Sequence, residues 1–101
     1  MMTQRDVKMT DAALYDLFDL DYVIRQEYQA PLTAERYVTG LKKQIQRLSQ
    51  VADLKVVQED LSEEYGKEIR RDNYKEMAIL FSIEDDEKVY VQRIIPQKMV
   101  K

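Results

Sequence analysis

The sequence of 101 residues contains no cysteine and no histidine. Without cysteine the chain forms no disulfide and offers no thiolate to a metal ion. Without histidine it lacks the most frequent general base near neutral pH and the most frequent ligand of transition metals. These absences exclude a zinc enzyme and a hydrolase built on a serine–histidine–aspartate triad. We therefore expect neither a metal site nor a cofactor.

Glycine and proline are scarce, with two residues of each. Because these residues most often interrupt regular structure, their scarcity predicts long helices and strands joined by few connections. No apolar run reaches the length of about 18 residues that a membrane helix needs, and the N-terminal residues show no signal-peptide pattern. We therefore expect a cytoplasmic protein that contacts no membrane.

The composition that remains is that of a globular domain. Hydrophobic residues make up 45% of the chain, and its length fits a single domain over residues 1–101. The formal net charge of −3 provides no overall attraction to nucleic acid. Nucleic-acid binding therefore requires a local basic face. Candidates for such a face are Arg36, Lys42, Lys43, Arg47, Lys67, Arg70, Arg71 and Lys75.

The second half of the chain carries the clearest strand patterns. Residues Met77–Ile83 alternate with period two, and because both alternating sets are apolar they predict a central strand. The acidic run Glu84–Glu87 predicts a hairpin turn, and Lys88–Ile95 is rich in β-branched and aromatic residues that predict the returning strand. Upstream, Tyr65–Arg71 is predicted to be a more polar strand, joined to the central one through Asn73–Tyr74.

The first half is predicted to be helical after a short strand. Arg5–Thr10 alternates weakly and predicts an edge strand. Thr10 or Asp11 is the predicted N-cap of a first helix, whose acids are expected to form a solvated face rather than a metal site. Residues spaced three and four apart give this helix one apolar face. They are Ala13, Leu14, Leu17, Leu20, Ile24 and Tyr28.

A second helix is predicted after Pro31, which disfavours helical structure at the preceding residue. Thr33 is its predicted N-cap, and Leu32 and Tyr37 are spaced to form a hydrophobic staple. Its apolar positions are Ala34, Tyr37, Val38, Leu41, Ile45 and Leu48. Because the connection is short, the two helices should form an antiparallel hairpin.

The stretch Gln50–Glu64 is predicted to hold a brief strand or an anchored loop near Val56, followed by an acidic, mobile segment. The order of elements is then a weak strand, two helices and three strands. This order predicts an α+β fold. An N-terminal strand and an antiparallel helical hairpin would pack on a mostly antiparallel sheet of three or four strands.

This arrangement resembles the RelE/ParE superfamily, the toxins of bacterial type II toxin–antitoxin systems. The resemblance is carried by Ile69-Arg70-Arg71, Asn73-Tyr74, the strand Ala78–Ile83, the acidic turn, and Val89-Tyr90-Val91 leading to Arg93-Ile94-Ile95. It implies a growth-inhibiting toxin that a cognate antitoxin holds inactive in a toxin–antitoxin hetero-oligomer. It implies one of two targets, the ribosome with its mRNA or DNA gyrase.

The resemblance leaves three mechanisms open. RelE-like members are metal-free ribonucleases that cut messenger RNA in the ribosomal A site, whereas ParE-like members share the fold and poison DNA gyrase by binding it. A degenerate member would bind a partner without any toxic activity. The sequence departs from the nuclease pattern, because Met77 and Ala78 stand where RelE-like toxins usually carry an arginine. The segment Pro96–Lys98 likewise lacks their terminal tyrosine.

The candidate site residues follow from the resemblance. Those proposed for catalysis are Arg70, Arg71, Arg93 and Tyr74, with Glu68 as a further candidate base, and those proposed to bind the target are Lys67, Lys75 and Lys98. Adjacent strand residues point to opposite faces, so without a bulge only one of Arg70 and Arg71 shares a face with Arg93. The alternative is structural: the first two arginines would lie on a solvated face or pair with Glu68 and Asp72, and Arg93 would pair with Glu84 or Asp86.

Overall fold

The computed structural model describes residues 4–85 and 87–100. In chain order its elements are β1 Asp6–Met9, α1 Asp11–Tyr22, α2 Pro31–Val51, β2 Val56–Val57, α3 Glu59–Tyr65, β3 Arg70–Tyr74, β4 Met77–Glu84 and β5 Lys88–Pro96. A π-helical segment, Val23–Glu27, continues α1. Short 3₁₀ turns, Ala52–Leu54 and Gln97–Met99, follow α2 and β5.

The strands form one sheet in the order β1-β5-β4-β3-β2. β1 runs parallel to β5, and the other neighbouring pairs are antiparallel. The predicted α+β class, with helices packed on a mostly antiparallel sheet, is confirmed. The sheet has five strands rather than three or four, because Val56 and Val57 pair with Arg71 and Arg70 and add one edge.

The helical hairpin packs on one face of the sheet, which we call the inner face. The core on this side is formed by Ala13, Leu17, Leu41, Ile45, Leu48, Ala52, Met77, Ile79, Phe81, Val89, Val91 and Ile94. On the opposite side, the outer face, Ala78, Leu80 and Ser82 of β4 are also buried. Burial on both faces confirms the prediction that this strand is central.

Thr10 caps α1, as predicted. Its side-chain oxygen accepts the backbone N–H of Ala13 at 3.1 Å. Its hydroxyl donates to the carbonyl oxygens of Val91 and Gln92, at 3.2 and 3.0 Å. The same side chain therefore begins the helix and ties it to β5.

The predicted apolar face of the first helix is partly wrong. Ala13 and Leu17 are buried, but Leu14 and Tyr28 are exposed. The chain passes into the π-helical segment Val23–Glu27 after α1. Because a π-helix turns less per residue than an α-helix, this segment shifts the phase of the side chains that follow, including Tyr28.

The second helix begins at Pro31, so the predicted N-cap at Thr33 is wrong. Proline suits a first helical position because its N–H is not needed there and its φ is already helical. Ala30 precedes it without a side-chain cap, and its carbonyl oxygen accepts the N–H of Ala34 at 2.9 Å. Leu32 is exposed and forms no staple. The apolar face is confirmed by the burial of Ala34, Leu41, Ile45 and Leu48.

The acidic stretch after β2 is helical, so the prediction of a mobile segment is wrong. α3 ends at Gly66, whose φ of +70° lies in the left-handed region that favours glycine. The hydroxyl of Ser62 donates to the carbonyl of Gln58 and accepts the N–H of Ile69, both at 2.8 Å. These bonds fix α3 to the start of β3.

The third strand begins at Arg70 rather than at Tyr65. Asn73 and Tyr74 lie within it, although they were predicted to lie in the connection. The connection to β4 has only two residues, and the first of them, Lys75, adopts a φ of 51°. A positive φ at this position is typical of tight hairpins. The connection between β3 and β4 is therefore shorter than the sequence predicted.

The acidic turn lies between β4 and β5, as predicted, and Asp86 within it lies outside the described residues. Pro96 ends β5, because proline has no N–H to donate to a further strand pairing. Within residues 4–85 and 87–100, no helix is long and apolar enough to cross a membrane.

Candidate functional site

A β-bulge in β5 decides which side chains reach the outer face. The register shifts so that Phe81 pairs with Val91 whereas Leu80 pairs with Arg93, which leaves Gln92 as the extra residue. If β5 ran through Gln92 without a bulge, alternation would point Arg93 to the same face as Val91, into the core. With it, Arg93 lies on the outer face and Ile94, which is 2% exposed, joins the core.

Arg71 lies in the same row as Arg93. The two residues pair with Leu80 from opposite sides, one on β3 and the other on β5. Directly paired residues on neighbouring strands point to one face about 5 Å apart, so the two arginines flank Leu80 with Cα atoms roughly 10 Å apart. The sequence left open whether Arg70 or Arg71 accompanies Arg93, and the register selects Arg71.

Arg93 is held by a carboxylate from α1. Its Nε and Nη2 donate to the two carboxylate oxygens of Asp16 at 2.7 and 2.9 Å. The same carboxylate accepts the backbone N–H of Ile94 at 2.9 Å. The bond to Asp16 raises the pKa of Arg93 further. The charge of Arg93 is therefore matched by Asp16 and not by Glu84. Asp86, the other acid considered from the sequence, lies outside the described residues.

Arg71 has only neutral partners. Its Nε donates to Oδ1 of Asn73 at 2.9 Å, and its Nη2 donates to Oε1 of Gln97 at 3.2 Å. In the described part of the chain no carboxylate lies within ion-pair distance of Arg71. Arg71 therefore keeps an unmatched positive charge on the outer face, where it can bind an acidic side chain or a phosphate.

Tyr65 lies near this row and was not predicted as a site residue. Burial raises the pKa of its hydroxyl, the positive charge of Arg93 lowers it, and Glu64 and Asp16 raise it. The hydroxyl at the C-terminal end of α3 is therefore within electrostatic range of the Arg93–Asp16 pair. The sequence did contain a signal for the end of α3, because Gly66 directly after an amphipathic stretch is a typical helix end.

Arg70 belongs to the structure of the sheet edge. Its Nη1 donates to the carbonyl oxygens of Asp53 and Lys55 at 3.2 and 2.9 Å, and its Nη2 donates to Glu68 at 3.0 Å. It pairs with Phe81, so it points to the inner face. Glu68, the candidate base, is therefore bonded to Arg70 and lies apart from the outer row.

Tyr74 also points to the inner face, where it packs on α2. Its ring meets that of Tyr37 edge-on, with centroids 5.4 Å apart and planes at 86°. The ammonium group of Lys75 lies 5.3 Å from the centroid of Tyr37 and 5.6 Å from that of Tyr74. The hydroxyl of Tyr74 lies so close to Gly40 that a Cβ there would overlap it. Two predicted site residues, Tyr74 and Lys75, are thus separated from Arg71 and Arg93 by the sheet.

The two remaining lysines lie apart from each other. Lys67 forms an ion pair with Glu84 at 3.2 Å. Lys98 lines an open, mostly apolar cleft of about 800 Å³ between the helical hairpin and the last residues of β5. Apolar side chains of this cleft include Leu20, Val23, Ile24, Met77 and Pro96. No group of acidic residues within the described ranges is arranged to hold a metal ion.

The comparison with known families decides the identity. The family model described as "ParE toxin of type II toxin-antitoxin system, parDE" matches residues 7–101. The chain belongs to the ParE toxin family. The resemblance to RelE/ParE toxins is therefore confirmed, and it narrows to the ParE side of the superfamily. No curated protein matches this ParE-family chain significantly.

A solved structure, "Chromosomal ParDE TA system from P. aeruginosa", shares the fold of this ParE-family chain. The two chains superpose with a TM-score of 0.71 at 22% sequence identity. The match covers 93% of this chain and 97% of the other. At this identity the match supports the fold alone, so the roles of Arg71, Arg93 and Tyr65 rest on their geometry.

Proposed function

We propose that this ParE-family chain inhibits bacterial growth by binding and poisoning DNA gyrase, and that the outer face around Arg71 contacts the target. A binding mechanism needs an accessible charge on a rigid surface. Arg71 offers one, because its side chain is held by Asn73 and Gln97 and its charge is unmatched by any described carboxylate. The single observation that carries the proposal is this unmatched charge.

The same geometry argues against RNA cleavage. That reaction needs a base for the 2′-hydroxyl, a cation for the charge that grows on the phosphate and an acid for the leaving oxygen. Arg93 is bound by Asp16, Tyr74 faces α2, and Glu68 is bound by Arg70. The candidates for the three roles therefore do not converge on one point.

Ribosome-dependent mRNA cleavage is the second candidate function. One observation favours it: Tyr65, Arg71 and Arg93 lie on or beside the outer face and combine a hydroxyl with two guanidinium groups. A phosphate that displaced Asp16 from Arg93 would meet both cations. Gyrase poisoning and mRNA cleavage would use the same surface of the protein. They differ in whether DNA synthesis or protein synthesis stops first in the cell.

We also propose that a cognate antitoxin neutralises the toxin by laying an amphipathic segment into the apolar cleft beside Lys98. Such clefts accept the apolar side of a helix or an extended segment. Val23→Glu places a charge in the cleft and should weaken antitoxin binding while growth arrest persists. Leu54→Glu, an exposed apolar site outside the cleft, serves as the control.

The first test is growth of a bacterial culture after tightly induced expression. The chain should arrest growth, and Arg71→Ala at the same soluble level should relieve the arrest. Arg47→Ala removes an equal charge from the exposed side of α2 and should arrest growth like the unaltered chain. Arrest that persists undiminished in Arg71→Ala would exclude the outer face as the target surface.

Pulse labelling then separates the two targets. Gyrase poisoning should stop DNA synthesis first, induce DNA-damage signalling, and make the purified chain trap gyrase on cleaved plasmid. Ribosome-dependent cleavage should instead stop protein synthesis first and leave plasmid DNA intact. The second pattern would replace gyrase by the ribosome and leave the family assignment unchanged.

A further inference from the structure

The first helix carries aromatic side chains on its solvent side as well as apolar ones on its core side. Tyr15, Phe18 and Tyr22 follow one another at helical spacings of three and four, and they are 78, 73 and 59% exposed. Leu14, one turn before Phe18, is exposed beside them. We call these four residues the aromatic stripe. A contiguous row of this kind is typical of a surface that another molecule covers.

Charges of opposite sign lie at equal distances from the centre of the stripe. Asp11 precedes Phe18 by seven residues, and Arg25 follows it by seven, about 10 Å along the helix in each direction. Seven residues are close to two helical turns, so Asp11 and Phe18 lie on the same side of the helix. Arg25 lies in the middle of the π-helical segment. Asp21 of α1 holds it towards that helix by accepting from its Nε and Nη2 at 3.2 and 3.1 Å.

Asp11 and Arg25 can both form further hydrogen bonds and ion pairs. The carboxylate of Asp11 makes no ion pair or hydrogen bond with another described residue. The guanidinium of Arg25 has five N–H donors and uses two of them on Asp21. A second carboxylate can therefore bind Arg25 without displacing the first.

We propose that the aromatic stripe is the interface of a homodimer, in which α1 of two copies packs antiparallel around a two-fold axis at Phe18. In this arrangement, residues equally far from Phe18 in opposite directions face each other. Leu14 then packs against Tyr22 of the partner subunit. Asp11 then meets Arg25 of the partner subunit, and the symmetry forms each contact twice.

Charge complementarity is the reason for choosing a second copy as the occupant. A two-fold interface brings a surface against itself, so acids and bases must be placed symmetrically about its centre. Asp11 and Arg25 satisfy this condition with Phe18 as the centre. Aromatic side chains contribute roughly 150–250 Å² each, so the stripe offers about 400 Å² per copy. This is less than the roughly 800 Å² of a standard interface, so the dimer should dissociate on dilution.

The test is the mass of the purified chain by sedimentation velocity over a range of concentrations. The mass should rise from 12.0 kDa towards twice that value as the concentration increases. Phe18→Asp brings two like charges together at the axis and should hold the mass at that of the monomer. Leu54→Asp, at a residue that is 77% exposed and outside the stripe, should dimerise like the unaltered chain. Thermal unfolding should show both variants folded, since both sites are exposed.

Cross-linking tests the register of the two helices. Because the sequence contains no cysteine, an introduced cysteine is the one thiol of each chain. A mixture of Leu14→Cys and Tyr22→Cys chains should form a disulfide-linked dimer faster than either chain alone. A chain that stays monomeric at every concentration would overturn the proposal, as would unchanged dimerisation of Phe18→Asp. Loss of antitoxin affinity in Phe18→Asp, with a monomeric unaltered chain, would assign the stripe to the antitoxin instead. Failure of the dimer would leave growth arrest unaffected, so it is distinguishable from failure of the proposed function.

Discussion

Gly40 lies in the middle of α2, and replacing it by alanine should destabilise the protein. In an ordinary helix this change stabilises by roughly 0.5–1 kcal/mol, because glycine loses more conformational freedom on folding. Here the added carbon would overlap the hydroxyl of Tyr74 and stand 2.8 Å from its Cζ. The helix gains its usual propensity, but the packing between α2 and β3 must change to accommodate the methyl group.

Tyr74 cannot easily move aside. Its ring is held edge-on by Tyr37, and Lys75 lies 5.6 Å from its centroid. Overpacking of this kind costs roughly 1–3 kcal/mol. After the gain in helix propensity is subtracted, we expect Gly40→Ala to lower the free energy of unfolding by about 1 kcal/mol. In urea, with a slope near 1 kcal/mol per molar, the midpoint should fall by about 1 M.

A second background isolates the cause. Tyr74→Leu removes the aromatic ring and its hydroxyl, and in that background Gly40→Ala should stabilise by its usual roughly 0.5–1 kcal/mol. The change of sign corresponds to a coupling of about 2 kcal/mol between the two sites. The slope of the urea transition should stay constant across the four proteins. The reasoning is refuted if Gly40→Ala stabilises the unaltered chain, or if its effect is equal in both backgrounds.

Three further predictions concern stability. Asp16→Ala leaves the N–H of Ile94 without its acceptor and should lower the free energy of unfolding in urea by about 2–3 kcal/mol. Arg93→Ala leaves that bond intact and should cost less. Equal losses in the two variants would contradict this. Gly66→Ala should cost about 1 kcal/mol by the same measurement, from its φ of +70° alone, since no atom lies within 4 Å of the added carbon; a neutral result would exclude strain. Burial and Glu76 raise the pKa of Tyr37 to about 12, so the folded state holds a proton that the unfolded state loses near pH 10. Stability should therefore fall as the pH rises from 10 towards 12, and the fall should be smaller in Tyr37→Phe.

Much of the fold could be predicted from local patterns. The alternation in β4, the apolar period of α2 and the cap at Thr10 depend on residues close together in the chain, and all three are confirmed. The errors lie where two local signals compete. α2 begins at Pro31, although it was predicted to begin after it with Thr33 as the N-cap. The stretch that forms α3 was predicted to be mobile because it is rich in acids.

The site was less predictable than the fold. Arg70, Arg71 and Arg93 lie on the predicted strands, and Tyr74 lies on β3 rather than in the connection. The sheet divides these four residues between its two faces. Their roles in target binding remain predictions. The partner of Arg93 is 77 residues away in the chain, so no local pattern could have selected Asp16.

By itself, the sequence determined the fold class, the family resemblance and the absence of thiol and imidazole chemistry. These properties follow from composition and from spacings of a few residues. The tertiary structure alone decided which arginines act together. One extra residue, Gln92, reverses the alternation of β5, moves Arg93 from the core side to the outer face and places Ile94 in the core. A bulge depends on pairing with β4, and pairing exists only once the two strands have met.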